Sequence, residues 1–125
     1  MVGDRSTKLL VLDDEEELCE LLVDLLNASN FQAVGVCSLD EATKILSDQD
    51  FDFFISDFYL GDKTPVDLIQ RIRAGELGKN KNCNIFVCTG EPDVRELKDL
   101  KDSISAVFPK PYNYDEIVEK VRGLC

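Results

Sequence analysis

Five short apolar runs, each followed by an amphipathic stretch, restrict the folds open to this chain more than any other feature. The runs are Lys8 to Leu12, Phe31 to Cys37, Phe51 to Ser56, Asn84 to Cys88, and Ile104 to Phe108. The stretches between them carry apolar residues at helical spacing. Glu15 to Ala28 has Leu18, Leu21, Leu22, Leu25 and Leu26, Leu39 to Ser47 has Ala42, Ile45 and Leu46, and Val66 to Ala74 has Leu68, Ile69 and Ile72. Val94 to Leu100 and Tyr114 to Leu124 continue the pattern. Strand followed by helix, five times over, predicts an α/β domain built on a parallel sheet.

The runs also indicate their places in that sheet. The first, third and fourth are nearly continuous in apolar residues, as strands covered by helices on both faces must be, whereas Gln32 and Gly35 dilute the second. Pro109 and Pro111 follow the fifth, and proline lacks the amide donor that a central strand needs. With the second and fifth strands at the edges, the expectation is a flavodoxin-like, doubly wound five-stranded parallel sheet of order 2-1-3-4-5. Helix starts are marked by a Ser38/Glu41 capping box, by Thr64-Pro65 and Glu91-Pro92 as cap and first-turn proline, and by Asn113. Gly78 to Asn82 reads as a loop with no apolar anchor. A chain of 125 residues, 44% of them hydrophobic, is expected to form one domain over residues 1–125.

Charge narrows the partners. Asp and Glu number 25 against 14 Lys and Arg, a net charge of -11, which disfavours direct binding to nucleic acid and favours cations or basic surfaces. The chain has no histidine, which removes histidine-based general-base mechanisms and most zinc sites. Cys19, Cys37, Cys83, Cys88 and Cys125 are odd in number and lie in or beside apolar runs, so free thiols are expected, buried except at Cys125. No apolar stretch approaches the roughly 20 residues of a membrane helix. Met1 to Ser6 lack a signal-peptide core, and the chain reads as cytoplasmic.

Polar residues close the runs in a telling way. Asp13-Asp14 follow the first, Asp57 the third, Thr89 the fourth and Lys110 the fifth. Parallel strands present their carboxyl ends together, so these groups are expected to meet at one sheet edge. Singly, each has an ordinary use: Asp13, Asp14 and Glu15 could open a helix, Asp57 could belong to a loop, Thr89 could cap a helix, and Lys110 could be a solvated surface charge. Together they form an acidic pocket with one lysine and one hydroxyl. Three carboxylates in one cleft repel unless a cation joins them, and hard oxygen ligands suit Mg2+. In such a pocket Asp57 is placed to attack a phosphoryl group while Lys110 and Thr89 meet its oxygens and Gly90 leaves room for close approach.

The ordered set Asp13-Asp14, Asp57, Thr89-Gly90 and Lys110-Pro111 resembles the receiver domain of two-component response regulators, of the chemotaxis-regulator type, over nearly the whole chain. The resemblance implies a regulatory phosphoacceptor with self-catalysed phosphoryl transfer and autodephosphorylation, not an enzyme with a separate substrate. It implies a sensor histidine kinase or His-phosphotransfer protein as donor and Asp57 as acceptor. Mg2+ is then held by Asp13 or Asp14, by Asp57 and by the backbone carbonyl of Tyr59, with a cis bond before Pro111. It further implies a protein target or other domains of a larger regulator downstream, and leaves dimerisation on phosphorylation open. Tyr59 and Glu91, two residues beyond Asp57 and Thr89, stand where relatives tune phosphate lifetime. Val107 occupies the position of the usual switch aromatic, and Gly61 and Pro65 replace the proline and glycine common in the loop after the third strand.

Three other readings compete. A haloacid-dehalogenase type of enzyme requires an aspartate two residues after the nucleophile, where this chain has Tyr59. A nucleotide-binding module requires a glycine-rich turn after the first strand, where this chain is acidic. A receiver-like interaction module working without phosphorylation takes its support from Val107.

Overall fold

A computed structural model describes residues 6–92, 94–111 and 113–125. Residues 1–5 of the expected non-signal N-terminus lie outside these. The elements alternate as β1 (Lys8–Leu12), α1 (Glu16–Ala28), β2 (Gln32–Val36), α2 (Leu39–Asp48), β3 (Phe53–Asp57), α3 (Val66–Arg73), β4 (Asn84–Thr89), α4 (Arg95–Asp99), β5 (Ala106–Pro109) and α5 (Tyr114–Leu124). All four pairings are parallel and the order is β2-β1-β3-β4-β5, as the apolar runs predicted.

Strand alternation divides the interior into two cores. Leu10, Leu12, Phe54, Ile85 and Val87 face one way, against Ala42 and Leu46 of α2, Leu68, Ile69 and Ile72 of α3, and Leu97 of α4. Leu9, Val11, Phe53, Ile55, Phe86 and Cys88 face the other, against Cys19, Leu22 and Leu26 of α1 and Ile117, Val118 and Val121 of α5. This side also holds an aromatic stack in which Phe86 lies 5.5 Å from Phe53 and 5.3 Å from Phe108. The edge strands β2 and β5 are the ones with exposed positions, Gln32, Val34 and Gly35 on one and Val107 and Pro109 on the other. Cys19, Cys83 and Cys88 are buried free thiols, Cys37 is half-buried and Cys125 is exposed.

Several boundaries differ from expectation for local reasons. β3 starts at Phe53, because the amide of Phe51 donates to the side chain of Asn80 at 2.7 Å instead of to a strand. It also runs through Asp57, so that residue is the last of the strand and shares its rigidity. α4 is shorter than Val94 to Leu100, and Glu91 does not cap it. The amide of Glu91 donates to the Thr89 hydroxyl at 3.0 Å, and the helix begins at Arg95 with Val94 as N-cap. Pro65, not Thr64, is the N-cap of α3, with Thr64 Oγ1 only 3.5 Å from the Val66 amide. The caps at Ser38 and Asn113 are as expected, accepting from Glu41 N at 3.2 Å and Asp115 N at 2.8 Å.

The Gly78 to Asn82 loop has an anchor after all, and it is polar. Asn80 is 1% exposed. Its amide nitrogen donates to the carbonyls of Leu46 at 2.7 Å, Gln49 at 3.0 Å and Leu77 at 3.2 Å, while its oxygen takes the Phe51 amide. Gly78 allows this approach: its φ is +57°, and a Cβ there would stand 2.8 Å from the Leu46 carbonyl oxygen. Nearby, Arg73 closes α3 by donating from Nε to the Ser103 carbonyl at 2.8 Å and from Nη1 to the carbonyls of Lys81 at 2.8 Å and Cys83 at 2.7 Å. Replacing Asn80 with alanine leaves the buried Phe51 amide without its acceptor, so Asn80→Ala is expected to lose about 2–3 kcal/mol. The expected readout is a lower urea midpoint with an unchanged slope.

Candidate functional site

Each strand delivers its residue to the carboxyl edge of the sheet. Asp13 follows β1 directly and is 3% exposed, Asp57 ends β3 at 5% exposed, and Thr89 ends β4, also buried. One oxygen from each of Asp13, Asp14 and Asp57 lies within 4.8 Å of the others, with Asp14 on the solvent side. Lys110, just past β5, places Nζ 2.8 Å from Asp57 Oδ1. The predicted convergence is therefore real for Asp13, Asp14, Asp57 and Lys110.

Backbone bonds hold this edge in register. The Phe58 amide donates to the Cys88 carbonyl at 2.9 Å, the Lys110 amide to the Thr89 carbonyl at 2.7 Å, and the Asp13 amide to the Val36 carbonyl at 3.2 Å. Two supporting contacts had little signal in the sequence. Asp13 Oδ1 accepts the Glu15 amide at 2.9 Å, which fixes that carboxylate in the turn leading to α1. Ser56, fully buried, donates its hydroxyl to the Asp57 carbonyl at 2.8 Å; a lone hydroxyl closing the Phe53-Phe54-Ile55 run was its only trace. The bond before Pro111 is cis.

The surrounding residues are placed as follows. Tyr59 is 42% exposed and packs edge-on against buried Phe58, ring centroids 5.0 Å apart. Its phenol pKa is raised, by partial burial first and then by the carboxylates of Glu91 and Glu96, which puts Tyr59 and Glu91 in one electrostatic neighbourhood. Gly90 leaves more room than expected: a Cβ there would meet nothing within 4 Å, so a small side chain would fit. In the loop after β3, Gly61 adopts φ +67°, a left-handed turn closed by reciprocal Leu60–Lys63 backbone bonds at 2.9 and 3.1 Å. Val107 is 36% exposed and helps wall a groove of about 310 Å3 with Leu97 and Ile104, while Phe108 turns to the opposite core.

Electrostatics explains what the pocket lacks. Burial, then a hydrogen bond with the Asp13 carboxyl, pushes the Asp57 pKa up to about 7, although Lys110 acts to lower it. Burial alone would lower Lys110, yet the adjacent Asp57 and Asp13 carry its pKa above the ordinary lysine value. Both directions describe one state: an ammonium at Lys110 beside an Asp57 carboxyl that holds its proton more tightly than an ordinary aspartate. A single lysine does not neutralise this cluster. An all-carboxylate donor set that retains a proton for want of positive charge fits a hard divalent cation, for which Asp13, Asp14 and Asp57 are the available side-chain ligands.

The raised pKa sets a pH dependence. Between the ordinary carboxyl value of 3.8 and about 7 the folded protein keeps a proton that the unfolded chain has released. The stability conferred by that proton is complete below about pH 4 and is lost as pH rises through about 7. In chelator, urea midpoints are expected to fall from pH 5.5 to pH 7.5 and to recover on adding Mg2+. Asp57→Asn should flatten both responses.

Comparison with known proteins agrees with this geometry. A family model of the response regulator receiver domain matches residues 9–122. The transcriptional regulatory protein CpxR of Escherichia coli K12 is 24% identical over 117 residues, covering 94% of this chain and 48% of CpxR, so the chain spans about half the length of that relative. A response regulator receiver protein from Pseudomonas putida is 28% identical with a TM-score of 0.83, covering 94% of this chain and 96% of that one. Response regulator protein TrrA of Thermotoga maritima, solved in complex with Mg2+-BeF, is 26% identical with a TM-score of 0.78, covering 95% and 99%. With its strand order, its acidic edge and a family match over nearly its full length, this chain belongs to the response regulator receiver domains of two-component signalling.

Proposed function

We propose that Asp57 is the phosphoacceptor of this receiver domain, and that phosphorylation there switches a protein-interaction surface. The observation that carries this reading is the 2.8 Å contact between Lys110 Nζ and a buried Asp57 that shares its pocket with two further carboxylates. A phosphohistidine on a sensor kinase or His-phosphotransfer protein is the donor. A carboxylate oxygen of Asp57 attacks phosphorus as the P–N bond breaks, and the bonding pair leaves with the imidazole. Lys110 meets the negative charge on the phosphoryl oxygens. The Thr89 hydroxyl, whose oxygen already accepts the Glu91 amide, has its proton available for one of them.

Asp13, Asp14 and Asp57, with the Tyr59 carbonyl, would hold Mg2+, which neutralises charge on carboxylate and phosphoryl oxygens when bound. With that charge bound, Asp57 would be deprotonated at neutral pH, the form in which its carboxylate is nucleophilic. The relative solved with Mg2+-BeF supports this choice of ion. Tyr59 shields the acylphosphate from water, and Glu91, in its electrostatic neighbourhood, orients the water that reaches it.

Val107 has no ring to swing, so we assign output to the β4–α4 loop. Movement of Thr89 toward phosphate pulls on the turn held by the Thr89–Glu91 hydrogen bond, and with it the start of the short α4. The partner-facing surface is then α4, β5 and α5, received by a protein target or by other domains of a longer regulator.

Intact mass after incubation with acetyl phosphate tests the acceptor. One labile phosphoryl group that requires both Mg2+ and Asp57, and is absent from Asp57→Asn, is the expected result. No gain in a parent protein shown to bind Mg2+ would instead favour an interaction module working without phosphorylation. Lys110→Ala should slow labelling at least about tenfold, the cost of one charge-assisted contact in the transition state. Tyr59→Ala should release phosphate faster than the parent; an unchanged decay rate would remove the shielding role.

A further inference from the structure

Two of the five cysteines line one cavity beside α1 and β2, in a part of the molecule the acidic site does not use. Cys19 on α1 is buried, with Sγ 3.9 Å from the Val11 carbonyl oxygen and 3.8 Å from that of Val36. Its thiol fills the space a side chain at position 35 would need: a Cβ on Gly35 would stand 2.6 Å from Cys19 Sγ. Cys37 follows the last residue of β2 and is joined by its peptide bond to the Val36 carbonyl that stands 3.8 Å from Cys19 Sγ, so the two residues are neighbours in space. The two cysteines line one cavity of about 200 Å3, with Glu16, Glu20 and Asp24 among its other walls. Cys37 is half-buried and within reach of a small solute, whereas Cys19 is buried.

We propose that Cys19 and Cys37 are a thiol pair that closes to an intrachain disulfide when a peroxide reaches Cys37. The Cys37 sulfur attacks the O–O bond of hydrogen peroxide, which breaks to give the sulfenic acid and, with the thiol proton, water. Cys19 then attacks that sulfur, the S–O bond breaks, and the hydroxide leaves with the Cys19 proton as a second water. In sum, two thiols and one peroxide give one disulfide and two waters, with two electrons passing from sulfur to oxygen.

The surroundings set the pace of this chemistry. Burial, then Cys37 and acidic neighbours including Asp13, push Cys19 up to about 12, and burial with Glu16, Glu41, Asp13 and Glu20 raises Cys37. Thiolate is scarce, so oxidation is slow at neutral pH and faster as pH rises. For the same reason the reduced form gains nothing from ionisation, and a disulfide once formed resists reduction. Its position gives it a consequence for the acidic pair. The bond would tie α1, which begins just beyond Asp13 and Asp14, to the end of β2, where the Val36 carbonyl accepts the Asp13 amide at 3.2 Å.

The test is hydrogen peroxide treatment of the reduced chain at mildly alkaline pH, followed by unfolding, N-ethylmaleimide labelling and peptide mass mapping. The expected outcome is a Cys19–Cys37 cross-linked peptide, with label on the other three of the five cysteines and recovery of all five after dithiothreitol. Cys37→Ser, at a half-buried position, should fold and show no cross-link. Label on all five cysteines, Cys37 sulfinic acid beside a labelled Cys19, or bridging through Cys125 alone would overturn the proposal.

Discussion

Carboxylate crowding at the carboxyl edge of the sheet is the constraint on which the rest of the molecule turns. Three aspartates from two adjacent strand ends are held within 4.8 Å of one another, and the fold supplies one ammonium against them. Such a cluster is unfavourable by itself, and only a rigid framework keeps it assembled. That framework is the parallel register, in which Asp57 pairs with Cys88 and Leu12 with Ser56. Sliding either pair by one residue would exchange the side chains that β1 and β3 present to the two cores, so close packing on both sides of the sheet resists what electrostatics at its edge favours.

This opposition accounts for much of the local chemistry. Asp13 is restrained by the amide of Glu15, Asp57 by the Ser56 hydroxyl on its own carbonyl, and Lys110 by its backbone bond to Thr89. Restraint keeps the groups from relaxing into solvent. The unspent negative charge becomes affinity for whatever cationic or electrophilic partner arrives. Net acidity elsewhere on the chain acts in the same direction at longer range.

The sheet order and the four site positions were legible in the sequence because they follow from periodicity and from where apolar runs stop. Continuous runs in β1, β3 and β4, with Pro109 closing β5 and Pro111 just beyond it, leave few arrangements open. What escaped was side-chain-to-backbone hydrogen bonding, which carries no periodic signal. Asn80 looked like one more polar loop residue, yet it is buried and organises three segments. Glu91 looked like a cap because proline follows it, but the Thr89 hydroxyl took its amide and moved the start of α4 to Arg95. Ser56 could have been suspected, since a hydroxyl within a buried strand must find an acceptor.

Arg73 gives the far end of the sheet a different mechanical character. Its guanidinium gathers three carbonyls, from Ser103, Lys81 and Cys83, and so joins the end of α3 to the segments that lead into β4 and β5. Asn80 clamps the loops around β3 at the same end. The domain thus has a bolted base: the amino-terminal end of the sheet is tied by side chains to backbone carbonyls of several segments, whereas the short α4 begins without a side-chain cap.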